Sequence, residues 1–182
     1  VGDGCIIGGL HKGLKDLMAL GWIERMPRLM GIQAAGSSYL YEAWKNNEDI
    51  LTKPPVNAQT VADSISSGLP RDRIKALNAV KETGGAYISI SDEDILRAIP
   101  EMARETGVFA EPAGAAAYAG LVAAVDRQMV SGDEKIVILN TGNGLKDVAG
   151  AMEALDLVQA RPFTIQPDFS ALEQVVAGWD ID

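Results

Sequence analysis

Apolar residues at positions 6, 7, 10, 14, 17 and 18 recur at the spacing of one helix face and predict a helix over 6–20. Gly21 suits the left-handed residue that closes such a helix, with Trp22 as the accompanying hydrophobic contact. After Pro27, residues 28–34 read as a buried strand, and Gly36-Ser37 introduces a second helix over 38–45. Breakers, including Pro54-Pro55, make 48–59 a loop. The small, polar stretch 60–71 reads as a loop with one helical turn. A helix over 73–83 follows, with Ile74, Leu77 and Val80 facing inward, and Gly84-Gly85 stops it. Residues 86–90 alternate as a strand. Ser91 through Asp94 has the form of a capping box, opening a helix that runs to about Thr106 and closes at Gly107. Residues 108–110 form a short strand candidate, and Pro112 starts an alanine-rich helix reaching about Met129. The cleanest buried strand in the pattern is 135–140, followed by a short helix from near Lys146. Further on, Pro162 and Pro167 bracket an extended stretch. Residues 168–176 place Phe169, Leu172, Val175 and Val176 on one side of a helix that is expected to dock on the body or on a second subunit.

Alternating strands and helices of this kind specify an α/β fold, a mostly parallel sheet covered by helices on both faces in three layers. The pattern assigns 1–150 to one α/β domain and 151–182 to a C-terminal extension with a short helix. No internal repeat is evident. Ligands of such sheets bind beyond the carboxyl ends of the strands. Three segments fall at such ends: the opening loop, Glu111-Pro112-Ala113, and Thr141-Gly142-Asn143-Gly144.

The opening loop, Gly2-Asp3-Gly4-Cys5-Ile6-Ile7-Gly8-Gly9, changes the picture most. A glycine-rich turn that opens a helix exposes backbone N–H groups and the positive end of the helix dipole. It can hold a phosphate or carboxylate without a basic side chain, and it can equally be a plain tight turn. Ile7 stands where a dinucleotide fingerprint needs glycine, and no Gly-Lys-Ser/Thr follows. Such a phosphate turn ordinarily follows a strand, and here only Val1 precedes it. The chain therefore reads as the second half of something longer.

Composition bounds the rest. The chain is 47% hydrophobic and 23% charged, values of a globular protein, with no run near the roughly 18 apolar residues of a membrane span. A net charge of −9 argues against nucleic acid as a partner and requires any anionic substrate to find a local positive pocket. A single cysteine, Cys5, rules out an internal disulfide, fits a reducing cytoplasm and, with one histidine, argues against a zinc site.

Four segments, in this order, resemble threonine synthase. They are Gly2-Asp3-Gly4-Cys5-Ile6, Ala62-Asp63-Ser64-Ile65-Ser66, Phe109-Ala110-Glu111-Pro112-Ala113-Gly114-Ala115 and Thr141-Gly142-Asn143-Gly144-Leu145-Lys146-Asp147. Lys12-Gly13-Leu14-Lys15 and Ile32-Gln33-Ala34 support the match. It covers most of 1–150 but only the C-terminal half of that family's enzyme. The Glu-Pro-Ala-Gly stretch is shared with threonine deaminase, and the Thr-Gly-Asn-Gly-Leu-Lys-Asp ending discriminates better.

The resemblance implies a pyridoxal phosphate enzyme of the tryptophan-synthase-β-like fold (fold type II). It implies the conversion of O-phospho-L-homoserine and water to L-threonine and phosphate, a lyase reaction of threonine biosynthesis. Gly2, Asp3, Gly4, Cys5 and Ile6 would then cradle the cofactor phosphate, with Asp3 turned away from it, capping the helix. Thr141 would meet the pyridine nitrogen, Gly142 and Asn143 would approach the ring, and Glu111 would lie near the cofactor. Asp63 and Ser64 would line the substrate pocket, a place for which composition offers a turn cap as an equal reading. The family's Schiff-base lysine lies in the N-terminal half, and none of the eight lysines here stands in a matching motif. Lys15 and Lys146 read as solvated helix residues. The chain alone is therefore expected to be inactive and to need the N-terminal half, in the same or a separate chain, within a homodimer. The remaining readings are a threonine dehydratase-like lyase and a non-catalytic anion-binding or assembly module.

Other candidates read as structural. His11 is expected at a core edge or in solvent rather than in catalysis. Cys5 reads as small-residue packing beside the phosphate rather than as a reactive thiol. Arg71 and Arg73 are taken as loop charges rather than phosphate ligands, and Asp92, Glu93 and Asp94 as helix-start charges alone.

Overall fold

The computed structural model describes residues 1–160 and 164–179. Its frame is a pair of parallel strands, β1 (Gly31–Ala34) and β2 (Tyr87–Ile90), in register Ile32 with Ile88 and Ala34 with Ile90. Parallel neighbours need a long crossover. Here it is made by α2 (Tyr39–Lys45), the loop 46–72 and α3 (Arg73–Glu82). The two-residue strand period then divides the core. Ile32, Ala34, Ile88 and Ile90 pack toward α4 (Asp92–Thr106) and α5 (Pro112–Asp126), with Ala154 of α6 (Val148–Leu157) in the same cluster. Tyr87 faces the other way, into the cluster of α1 (Cys5–Ala19), α2 and α3. Helices therefore cover both faces of a parallel sheet, the α/β arrangement that the alternation of elements predicts. Full burial of Ile88 and Ile95 contributes roughly 1.5–3 kcal/mol each.

Local chemistry sets the element ends. Gly21 sits at φ 70°, its N–H donates to Met18 O, and Trp22 N–H donates to Leu17 O at 2.9 Å, the double bond of a Schellman ending. Trp22 is nonetheless 75% exposed and closes no contact. Ser91 and Asp94 form the capping box reciprocally, and Gly107 ends α4 at φ 72°. Asp92 does more than sit at a helix start: its carboxylate accepts from Val61 N–H at 3.0 Å and from the Thr60 hydroxyl, pinning the loop before Asp63.

The structure departs from the sequence pattern where a neighbour is needed to complete an element. The first strand begins at Gly31 rather than at 28, and α5 ends at Asp126. Ile74 is exposed, because Leu77 and Val80 with Ala76 and Ala79 form the inward face of α3. The segment 108–110 contributes one antiparallel bridge, Ala110 to Asn143. Residues 135–140 form no strand, and Val137 is 84% exposed. A strand exists through its ladder partners, and this segment has none among the described residues. The last helix, α7 (Phe169–Val176), forms with Asp168 as its cap, yet none of its residues is buried. Of the bracketing prolines, Pro162 lies outside the described residues.

Candidate active site

The opening loop is shaped by backbone geometry. Gly4 takes φ 87°, a left-handed conformation that glycine tolerates best, and becomes the N-cap of α1. A Cβ on Gly4 would also meet the Ala76 methyl at 2.7 Å, so α1 enters against α3 with no room for a side chain. No side chain caps α1 and no acidic residue lies in its first turn. Its leading N–H groups lack intrahelical acceptors, the arrangement that an anion at a helix terminus can satisfy.

Asp3 is turned away from that terminus, although it does not cap the helix. Its Oδ1 accepts from the Ser67 hydroxyl at 3.0 Å and Arg71 N–H at 3.1 Å, tying the turn to the 66–71 loop. The Arg71 guanidinium lies 4.0 Å from the same carboxylate and is otherwise exposed. Arg73 is structural, donating to the carbonyls of Ile50 at 3.1 Å and Pro70 at 3.4 Å. Cys5 is exposed at the start of α1. Its hydrogen bond to the Asp72 carboxylate pushes the thiol pKa up, and burial and charge repulsion by Asp72 and Asp3 act the same way. The helix terminus alone would activate this thiol, but the neighbouring carboxylate holds it protonated.

The Glu-Pro-Ala-Gly and Thr-Gly-Asn-Gly segments are locked together. Glu111 N–H donates to Gly142 O at 3.0 Å, and Gly144 N–H donates to Phe109 O at 3.1 Å. A Cβ on Gly142 would fall 1.8 Å from Glu111 Oε1, and one on Gly144 2.3 Å from the Phe109 ring. Both glycines are therefore demanded by close approach. Buried Glu111 is met by Lys146 Nζ at 3.0 Å, so Lys146 is no free surface lysine but the counter-ion of an interior carboxylate. Asn143 accepts from Leu145 N–H and caps the 3-10 turn that carries Lys146.

These pieces meet in one cleft of about 1560 Å³. Gly2 to Ile6 line one side, Ser64, Glu111, Thr141 and Lys146 the other, and the cleft continues along α1, α5 and 135–139. Asp63, Gly142 and Asn143 are not among the residues that line it; Asp63 and Ser64 belong to a 3-10 turn, Asp63–Ile65. His11 is buried at the α1–α3 seam, its Nε2 3.5 Å from Glu82, which also receives Lys15 at 3.0 Å. Both residues lie outside the cleft.

One residue that carries the site, in Ile32-Gln33-Ala34, has no role assigned to it by the motif pattern. Gln33, fully buried in β1, accepts from Leu40 N–H at 2.8 Å and Tyr41 N–H at 2.9 Å, and donates to Val1 O at 2.9 Å. It caps α2 and fixes the entry to the opening loop. A carboxamide amid Ile32 and Ala34 is the signal that could have found it, since a buried polar group requires partners.

Comparison with known proteins follows the same geometry. The profile of the family "Pyridoxal-phosphate dependent enzyme" matches residues 1–142. The threonine synthase of Methanocaldococcus jannaschii is 36% identical over 177 residues, covering 97% of this chain and 42% of the relative. That of Methanosarcina acetivorans is 35% identical over 178 residues, covering 98% and 43%. The chain thus spans less than half the length of these curated relatives. In fold it is similar to the processed form of threonine deaminase isoform 2 from Solanum lycopersicum, with a TM-score of 0.67 at 20% identity over 86% of this chain and 42% of the other. Threonine synthase from Escherichia coli gives 0.54 at 17% identity, over 84% and 37%. These are fold type II enzymes. The anion-binding terminus of α1 and the polar walls opposite fit the phosphate and ring of the family's cofactor, pyridoxal phosphate. The chain belongs to the family of pyridoxal-phosphate dependent enzymes.

Proposed function

We propose that this chain forms the cofactor-holding half of a threonine synthase, which converts O-phospho-L-homoserine and water to L-threonine and phosphate. The carrying observation is the convergence, in one cleft, of a helix terminus with no side-chain cap and no acidic residue in its first turn with Glu111 and Thr141. The identity to threonine synthases supports the choice of reaction.

Backbone N–H groups of Gly2 to Ile6 hold the phosphate dianion, and Asp3 stays out of its way by binding the 66–71 loop. Thr141 would offer the pyridine nitrogen a neutral hydroxyl, a partner that favours a ring charge less than a carboxylate does. Pyridoxal phosphate, when bound, supplies an electron sink for negative charge developing on substrate carbon. Glu111, held by Lys146, keeps a buried charge at the cleft wall without an unpaired carboxylate. Gly142 and Asn143 shape the backbone beside the ring, and Asp63 with Ser64 form the substrate side. Among the described residues, Lys135 and Lys146 are the lysines that line the cleft; Lys146 is committed to Glu111, and Lys135 stands next to Glu134, which pairs with Arg28. The anchoring lysine therefore comes from the complementary N-terminal half, and the working enzyme is a cytoplasmic homodimer of complete subunits.

Phosphate release from O-phospho-L-homoserine tests the reading. This chain alone should turn over nothing, and the chain combined with its complementary half should release phosphate and threonine together. Deamination of threonine by that combination, with no action on the phosphorylated substrate, would instead make it a dehydratase. A lack of turnover on both, with pyridoxal phosphate unbound, would make it a non-catalytic module.

A further inference from the structure

The phosphate turn carries a carboxylate of its own, Asp3, and that carboxylate has two places to go. Asp3 stands directly before Gly4, the N-cap of α1, whose terminus has no side-chain cap and no acidic residue in its first turn. Such a terminus attracts a carboxylate through the same N–H groups and the same dipole that attract a phosphate. Asp3 is nonetheless bound elsewhere, by the Ser67 hydroxyl at 3.0 Å and Arg71 N–H at 3.1 Å. The Arg71 guanidinium, 4.0 Å away on a side chain 88% exposed, adds little. A second carboxylate nearby, Asp72, is taken by Lys75 at 2.9 Å and by the Cys5 thiol.

Two donors therefore hold Asp3, and the side-chain donor depends on where Ser67 stands. Ser67 is fixed from the strand ends. Just past β1, Gln59 N–H donates to Gly36 O at 2.8 Å, and a Cβ on Gly36 would fall 1.8 Å from Gln59 O. Just past β2, Asp92 holds Thr60 and Val61. Buried Ser37 accepts from Ser67 N–H at 2.9 Å and donates to Ile65 O at 3.3 Å. Val56 N–H donates to Gly68 O at 2.9 Å on the following residue. Residues 59–68 thus form a strap fastened across the carboxyl ends of both strands, and Ser67 is the strap residue whose side chain reaches Asp3.

We infer that Ser67 is a positioning residue of the phosphate site, acting through Asp3: its hydroxyl draws the carboxylate onto the strap and keeps it from occupying the α1 terminus in place of phosphate. This rests on the reading that Gly2 to Ile6 hold the cofactor phosphate. With the hydroxyl gone, one hydrogen-bond donor of the strap remains, and the carboxylate turns toward the N–H groups of α1 that lack intrahelical acceptors. There it competes with phosphate for the same donors and repels the dianion at shorter range. The strap also carries Ser64 to the cleft, so the element that frees the phosphate turn sets the opposite wall as well.

A double-mutant cycle tests this, with pyridoxal phosphate titrated into the cofactor-free assembled enzyme and inorganic phosphate as the competing probe. Ser67→Ala, which keeps the backbone N–H on Ser37, should weaken both ligands about fivefold. Ser67→Thr, which keeps a hydroxyl, should restore them. The loss should shrink in about 1 M salt, because the repulsion behind it is screened. In the Asp3→Asn background, where the same hydrogen bonds are accepted without charge, Ser67→Ala should cost nothing. A loss that persists in that background overturns the inference, since Ser67 then only holds the loop; unchanged affinity in Ser67→Ala overturns it too. Turnover of O-phospho-L-homoserine without this pattern leaves the proposed function standing and removes the inference. The pattern without that turnover keeps the roles of Ser67 and Asp3 and removes the reaction. Binding of neither ligand by the unsubstituted enzyme overturns both.

Discussion

Gln33 and Asp72 show how single side chains govern this site. Replacing Gln33 with Leu leaves the Leu40 and Tyr41 N–H groups without their buried acceptor. It should cost ~1–3 kcal/mol in urea unfolding. Asp72→Asn removes the carboxylate that holds the Cys5 thiol protonated, so the thiol pKa falls. Alkylation of Cys5 at pH 8 should then speed up a few-fold, and the difference should vanish at a pH above both pKa values. The role of Asp72 was not legible in the chain: it is one acidic residue among many, and its reach to Cys5 depends on α3 packing against α1. Asp3 was legible in direction, because a carboxylate beside an anion site must turn away. Its partners, Ser67 and Arg71 N–H, required the fold.

At the scale of elements, the two motifs that line the cleft act as one piece. Gly142→Ala would drive a methyl group into the Glu111 carboxylate and separate it from Lys146. In the assembled enzyme this should lower pyridoxal phosphate affinity by about tenfold and stability by roughly 1–3 kcal/mol, readable by titration and by thermal melting. The helices α1, α3 and α4, and the core of each strand, were legible because caps, glycine stops and 3.6-residue periodicity are local signals. The segment 135–140 misled for the opposite reason. Its pattern is that of a strand buried on both faces, and a pattern states what a segment is built to join, whether or not the joining chain is present. Ile74 misled differently: small Ala76 and Ala79 join Leu77 and Val80 on the inward face of α3, and Ile74 lies off it.

At the scale of the whole molecule, burial holds the Val1 amino group down at about 5, against an ordinary value of 8.0. Where that amine is free, the unfolded chain binds a proton between pH 5 and 8 that the folded chain rejects. Stability therefore rises with pH across this window, by at most about 1.4 kcal/mol per unit. Chemical denaturation from pH 5 to 8 measures it, and acetylating or extending Val1 should remove this contribution. The overall class, a parallel sheet between helical layers, could be read from the alternation of elements, but its restriction to two strands among the described residues could not.

The unsatisfied 136–139 segment also bears on the lifetime of this polypeptide in a cell. An orphan copy carries an apolar, strand-ready surface of the kind that chaperones and proteases recognise. The steady-state level of a polypeptide carrying such a surface would then follow how much of that surface is covered.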